Sequence, residues 1–285
     1  MHRTLPLLAC CLLAAGGCVR GGAVAAGARV RVVAGLYPLA FVAREVGGPL
    51  ADVTDLTPSG AEPHDVELTA AQVGLVGEAD VVLLVRGLQP ALDDAAPRRR
   101  TLDAGSAGTP APGAPAGDPH VWLDPVRMAD LAGRVADVLA RRDAEGAATY
   151  RANAAALAGR LRALHAETAA ALGRCERREI VTGHAAFGQF AARYGLTQTG
   201  IAGVTPDAEP SPRRLAEIAG YVRAHGVRTI FAEALVSPKV ADTVARETGA
   251  RVAVLDPVEG VRGGDDYFSV LRRDVATLRR ELGCA

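Results

Sequence analysis

From residue 29 onward, short apolar runs of strand character alternate with segments of helical period, and no other feature restricts the possible folds as much. Strand-like runs at 29–34, 52–57, 79–85 and 99–103 end in small or polar residues, and the first three are followed by helical patterns. A second set at 179–182, 198–202, 228–231 and 251–255 repeats the plan. Strands separated by helices join into parallel sheets. The expected fold is α/β, with two lobes that each hold a mostly parallel four-stranded sheet flanked by helices.

Helix ends are marked by their chemistry. Ser211-Pro212 and Ser237-Pro238 each set an N-cap before a proline, Gly226 and Gly249 stand at the far ends, and Thr69 with Gln72 forms a capping box. Between the two sets, residues 147–172 carry Tyr150, Ala154, Leu157, Leu161, Leu164, Thr168 and Leu172 at spacings of three or four, which makes one apolar stripe. At 1.5 Å per residue this helix is on the order of 40 Å long, enough to brace both lobes and restrict hinge motion. The expected organisation is a leader at 1–18, an N-terminal lobe at 29–143, a linking helix at 144–173 and a C-terminal lobe at 174–285. Residues 104–117, rich in Pro, Gly and Ala, read as a mobile surface loop.

The chain has 285 residues, of which 49% are hydrophobic, sufficient for substantial cores. With 32 basic against 32 acidic residues, nothing recruits nucleic acid. His2 and Arg3, an apolar run from Leu5 to Ala15, and small residues before Cys18 read as an export signal too short to span a bilayer. The small residues before Cys18 resemble a lipobox, in which the Cys is acylated, although Ala15 stands where Leu is usual; plain cleavage near Ala26 is the alternative. Beyond the leader only Cys175 and Cys284 remain, which permits one disulfide or two free thiols.

Three of the five His residues beyond the leader stand in distinctive contexts: Glu62-Pro63-His64-Asp65, Asp118-Pro119-His120-Val121-Trp122-Leu123-Asp124-Pro125, and Thr182-Gly183-His184-Ala185-Ala186-Phe187. Asp256, in Leu255-Asp256-Pro257, is a fourth candidate. All four fall just past the carboxyl ends of strands, two in each half, where open parallel α/β sheets bind ligands. Facing edges of two such lobes could gather three imidazoles and a carboxylate around one divalent ion, a donor set that suits zinc.

These three segments, in this order and spacing, resemble the cluster A-I family of zinc- and manganese-binding lipoproteins that serve ABC importers, across essentially the whole chain after the leader. The resemblance implies that His64, His120, His184 and Asp256 are the metal ligands, in two similar lobes joined by a rigid helix. It implies capture of a divalent transition metal, zinc or alternatively manganese, outside the cytoplasmic membrane or in the periplasm. The partners it implies are a permease and its ATPase, with a monomer held to the membrane through acylated Cys18. Many zinc-specific relatives carry a His-rich loop, which residues 104–117 lack.

Other residues have plainer readings. Glu62, Asp118, Asp124 and Glu233 could orient ligand imidazoles or serve as caps, with Glu233, at a strand end, leaning toward the site. Trp122, the single Trp, reads first as core and second as a shield for the metal. His165 and His225 read as structural. Two rival functions are a zinc hydrolase, using three His with Glu233 as base, and a surface adhesin that uses metal structurally. A fourth protein ligand at Asp256, and the absence of a His-Glu-x-x-His segment, speak against the hydrolase.

Overall fold

The computed structural model describes residues 29–285 except 59, 207–209, 235–236 and 262. Cys18 and the rest of the leader lie outside the described residues.

In chain order the first half runs β1 (Val30–Ala34), α1 (Tyr37–Gly47), β2 (Ala51–Asp55), α2 (Ala70–Glu78), β3 (Val81–Leu84), α3 (Pro90–Ala95), β4 (Thr101–Asp103) and α4 (Pro125–Arg142). After α5 (Ala147–Leu172) come β5 (Glu179–Thr182), α6 (Gly188–Tyr194), β6 (Thr197–Gly200), α7 (Pro212–Ala224), β7 (Thr229–Glu233), α8 (Lys239–Thr248), β8 (Arg251–Leu255) and α9 (Tyr267–Leu282). The two sheets have the same order, β2-β1-β3-β4 and β6-β5-β7-β8, and every strand pair is parallel. Val81-Val82-Leu83-Leu84 is buried along its whole length, as expected of a central parallel strand covered on both faces.

The stripe on α5 is buried as its spacing predicts, from Tyr150 through Leu172. It packs on α1 and α4 of the first lobe and on α6 and α9 of the second. Each Leu fully removed from water here contributes about 1.5–3 kcal/mol. One continuous core therefore runs from Val32 and Leu83 through Leu161 to Phe231 and Tyr267, crossing both lobes. Hydrogen bonds reinforce the crossing: Tyr267 OH donates to Trp122 O at 2.6 Å, and Arg193 on α6 grips the Asp124 carboxylate at the start of α4 at 2.6 Å.

Three local expectations need correction. Ser237 does not cap α8, which starts at Lys239, because Pro238 already has helical dihedrals and occupies the N-cap position itself. Residues 104–117 form a surface loop as expected, exposed at 108–110, 112–113 and 115–117, but one pinned at Ala104, Ala107 and Ala111, which are buried, with the Arg127 guanidinium on α4 donating to Ala107 O and Gly105 O. The strand ends shift by one or two residues where hydrogen bonding, not apolarity, sets the limit. Cys175 and Cys284 form a disulfide that ties the C-terminal tail to the segment after α5. The capping boxes and proline starts appear as expected at Thr69–Gln72 and at Ser211, whose hydroxyl accepts from Arg214 N.

Candidate metal centre

The loops leaving β2, β4, β5 and β8 converge between the lobes. His64, His120, His184 and Glu259, all buried, each place a donor atom within 4.8 Å of the others. His184 Nε2 stands 3.3 Å from His120 Nε2, and Glu259 Oε1 lies 3.7, 3.6 and 3.7 Å from Nε2 of His64, His120 and His184. A tetrahedron with metal–donor bonds of roughly 2.0–2.1 Å has edges of about 3.4 Å, so these separations suit a four-coordinate ion. Among the described residues neither Glu259 oxygen accepts a hydrogen bond, although the side chain is wholly buried. A buried carboxylate in that state needs a cation or a proton.

Three turns of one kind set the backbone. In Glu62-Pro63-His64 the His64 N–H donates to Glu62 Oε1 at 3.3 Å. In Asp118-Pro119-His120 the His120 N–H donates to Asp118 Oδ1 at 3.0 Å. In Asp256-Pro257-Val258 the Val258 N–H donates to Asp256 Oδ1 at 2.8 Å. Each carboxylate captures the N–H two residues on, with proline fixing φ between them. In the first two turns the captured residue is the imidazole itself. In the third it is Val258, and the donor comes one residue later, at Glu259.

The structure gathers Glu259, and not the expected Asp256, with the three imidazoles. Asp256 Oδ1 is engaged by the turn, its N–H donates to Asp274 on α9 at 3.1 Å, and Glu259 takes the position among the imidazoles. Val258 has φ +59°, the one non-glycine with positive φ among the described residues. A β-branched residue there is strained by about 1–2 kcal/mol. The turn is further pinned by Trp122, whose Nε1–H donates to Pro257 O at 2.7 Å. The acid-Pro pattern at Asp256 was the available signal, since it matches the capping role of Asp118 more closely than the role of a ligand.

The imidazoles are oriented from behind. His120 Nδ1 bonds to Asp118 Oδ1 at 2.8 Å, and His184 Nδ1 bonds to Glu233 Oε2 while His184 N donates to Glu233 Oε1 at 2.7 Å. Each carboxylate accepts a hydrogen bond from Nδ1–H, which keeps that proton on the ring and leaves the Nε2 lone pair facing the cluster. Gly200 allows the β6 end to approach this loop, since a Cβ there would stand 2.7 Å from Ala185 N. Trp122 packs edge-on to His120 with ring centroids 5.2 Å apart, so it is both core and wall.

Burial pushes His120 below the ordinary imidazole value, against the pull of Asp118. Burial acts the same way on His184, but the hydrogen bond and charge of Glu233, with Glu259 and Glu62, outweigh it and hold His184 above that value. Glu259 is driven well above the usual carboxylate range by burial and then by Glu62. Without an ion Glu259 and His184 thus favour their protonated forms, and a dication would displace those protons. His165, against Tyr194 OH, and His225, stacked on Tyr221, stand outside the cluster.

Residues 32–281 match the family described as zinc-uptake complex component A, periplasmic. The chain is 35% identical to the zinc-binding protein AdcA of Streptococcus pyogenes serotype M6, over 90% of this chain but 56% of that protein, so it spans little more than half the length of that relative. It is 29% identical to the high-affinity zinc uptake system protein ZnuA of Bacillus subtilis, over 97% of this chain and 96% of that one. In structure it is similar to the laminin-binding protein Lmb of Streptococcus agalactiae, described as a bifunctional adhesin and metal transporter, with TM-score 0.81, 33% identity, and 89% and 99% of the two chains covered. It is also similar to the Zn(II)-bound AdcA of Streptococcus pneumoniae, with TM-score 0.75, 31% identity, and 89% and 58% covered. With three His-bearing loops, paired parallel sheets and a match over nearly all its described length, the chain belongs to the family of periplasmic zinc-uptake component A.

Proposed function

We infer that the protein is the substrate-binding component of a zinc ABC importer, taking one Zn2+ per chain from outside the membrane and passing it to a permease driven by an ATPase. One observation carries this reading: three Nε2 atoms and one unpartnered carboxylate oxygen converge, buried, with separations near tetrahedral edges. Nitrogen-rich tetrahedral donors favour zinc over manganese, which prefers more oxygen and higher coordination. His64, His120, His184 and Glu259 are the ligands in this reading. Glu233 and Asp118 stand behind two of them, and the lobes at 29–143 and 174–285 are bridged by 144–173. A fourth protein ligand leaves no open position for an activated water, so the site serves transport rather than hydrolysis. Export and acylation at Cys18 complete the reading, keeping a monomer beside its permease.

Elemental analysis of protein purified without added metal, followed by competitive titration, is expected to give one zinc per chain and preference for zinc over manganese. His120→Ala is expected to lose tight binding with the far-UV spectrum unchanged. Equal zinc affinity in that variant would overturn the reading.

A further inference from the structure

The cluster draws no donor from the loops that follow β1 and β3. Both loops meet instead at Gln89, which stands just before α3 and is buried to 3% exposure. Its Nε2 donates to Gly35 O beyond β1 at 3.0 Å, to Thr57 Oγ1 beyond β2 at 3.2 Å and to Pro63 O at 3.1 Å. Thr57 Oγ1 in turn donates to Gly35 O at 2.6 Å, so amide, hydroxyl and one carbonyl at the sheet edge form a closed set. The amide fits because residue 35 is glycine, since a Cβ there would overlap Gln89 Oε1. The C-terminal lobe repeats the arrangement directly on a donor residue: Gln198 Nε2 donates to Thr182 Oγ1 at 2.8 Å and to His184 O at 3.1 Å, and Thr182 Oγ1 donates to His184 O.

Resting on the zinc-transport reading, we infer that Gln89 is a positioning residue for zinc binding, which through Pro63 O sets His64 at its corner of the cluster before the ion arrives. Pro63 O and the His64 N–H belong to one peptide group. Gln89 holds its oxygen and Glu62 its hydrogen, so the plane from which the His64 side chain departs is fixed on both sides. Glu62 lies within the turn and sets its shape, whereas Gln89, 26 residues away, ties the finished turn to the sheet. The outer side of this segment borders an open groove of about 580 Å³ lined by Leu56, Pro58, Ala61, Glu62, Thr69 and Gln72, among others, so the tie comes from the sheet side. A neutral amide suits the task, because it donates to three oxygens without bringing a charge into a buried place. A turn ordered in advance spares the ion the cost of ordering it, and that cost would otherwise be subtracted from affinity.

The test combines competition titration of zinc with amide hydrogen exchange of the metal-free protein, both on the whole chain. Gln89→Met keeps length and apolar bulk while removing the amide donors. The expected result is a zinc affinity about tenfold lower, with faster exchange across residues 60–68 and unchanged exchange across 118–124. In a His64→Ala background the same substitution should change affinity by less than about twofold, because its route to the ion is gone, whereas in an Asp118→Asn background the loss should persist. Thr57→Val keeps the side-chain shape, removes one partner of the amide and should give a smaller loss in the same direction; if Gln89→Met did not fold, this variant would decide by the same measures. Unchanged affinity, or an equal loss in the His64→Ala background, overturns the inference. So does exchange that quickens evenly across both lobes, the mark of a residue that only stabilises the fold. Failure of the unsubstituted protein to take up zinc at all would instead refute the functional reading on which the inference rests.

Discussion

The two lobes build their halves of the centre by different means. In the N-terminal lobe the carboxylate that fixes each imidazole lies two residues before it: Glu62 for His64 and Asp118 for His120. In the C-terminal lobe the support is remote, because Glu233 reaches His184 from 49 residues away, and the Glu259 turn is held by Asp274 on α9 and by Trp122 from the other lobe. One half is set by local turns and the other by tertiary packing. A substitution in the second half should therefore disturb more than the donor it touches.

The largest effect should separate Glu259 from Asp256. Glu259→Gln removes a charged donor and should weaken zinc binding by about 3 kcal/mol, on the order of a hundredfold, taking a quarter of a typical four-ligand zinc site. Asp256→Asn keeps an oxygen to accept from Val258 N and should stay within about tenfold. Isothermal competition titrations of both variants decide the matter, and the reverse ranking would restore Asp256 as the ligand.

The supporting carboxylates should rank next. Glu233→Gln should cost roughly tenfold to a hundredfold in zinc affinity, because it weakens both the Nδ1 bond and the backbone anchor of His184. Asp118→Asn should fall at the lower end of that range, since proline and the local turn still hold His120. If the two losses were equal, with equal effects on melting temperature, the contrast between local and remote support would fail.

The contrast also explains what the sequence could show. The Pro-His contexts of His64 and His120 are contiguous in the chain, and the strand-to-loop position of His184 follows from periodicity, so all three are readable from the sequence. Glu259 is not, because its place depends on Val258 turning through positive φ and on contacts from Trp122 and Asp274. The sheets and α5 were legible because each carries its own period. The anchoring of residues 104–117 was not, since it comes from side chains on later helices: Arg127 on Gly105 O and Ala107 O, Arg134 on Ser106 Oγ and Arg193 on Thr109 O.

The smallest effect, and the most diagnostic of the C-terminal half, is on pH. His184 is held above about 6.5, so protons begin competing with zinc above that pH, and affinity should fall by about tenfold per unit once one proton must be displaced. Calorimetry in buffers of different ionisation heats should show proton release on zinc binding near neutrality. Glu233→Gln should move the onset to lower pH. In the metal-free fold the two imidazoles act oppositely. Raised His184 stabilises below about pH 6.5, and its contribution is lost as pH rises through its folded value. Lowered His120 costs stability as pH falls below about 6.5, because only the unfolded chain then takes up the proton. Flat zinc affinity from pH 7.5 to 5.5 would contradict ligation by His184.

Trp122 is the chain's single Trp, it is fully buried, and its indole touches the ring of one donor while its N–H is fastened to the opposite lobe. The protein therefore carries its one indole fluorophore at the seam of its centre. Its emission should be blue-shifted, and any rearrangement of the Pro257 turn on loading or release changes the hydrogen bond at the indole nitrogen. The spectrum of this one residue reads out the meeting of the two lobes without a label.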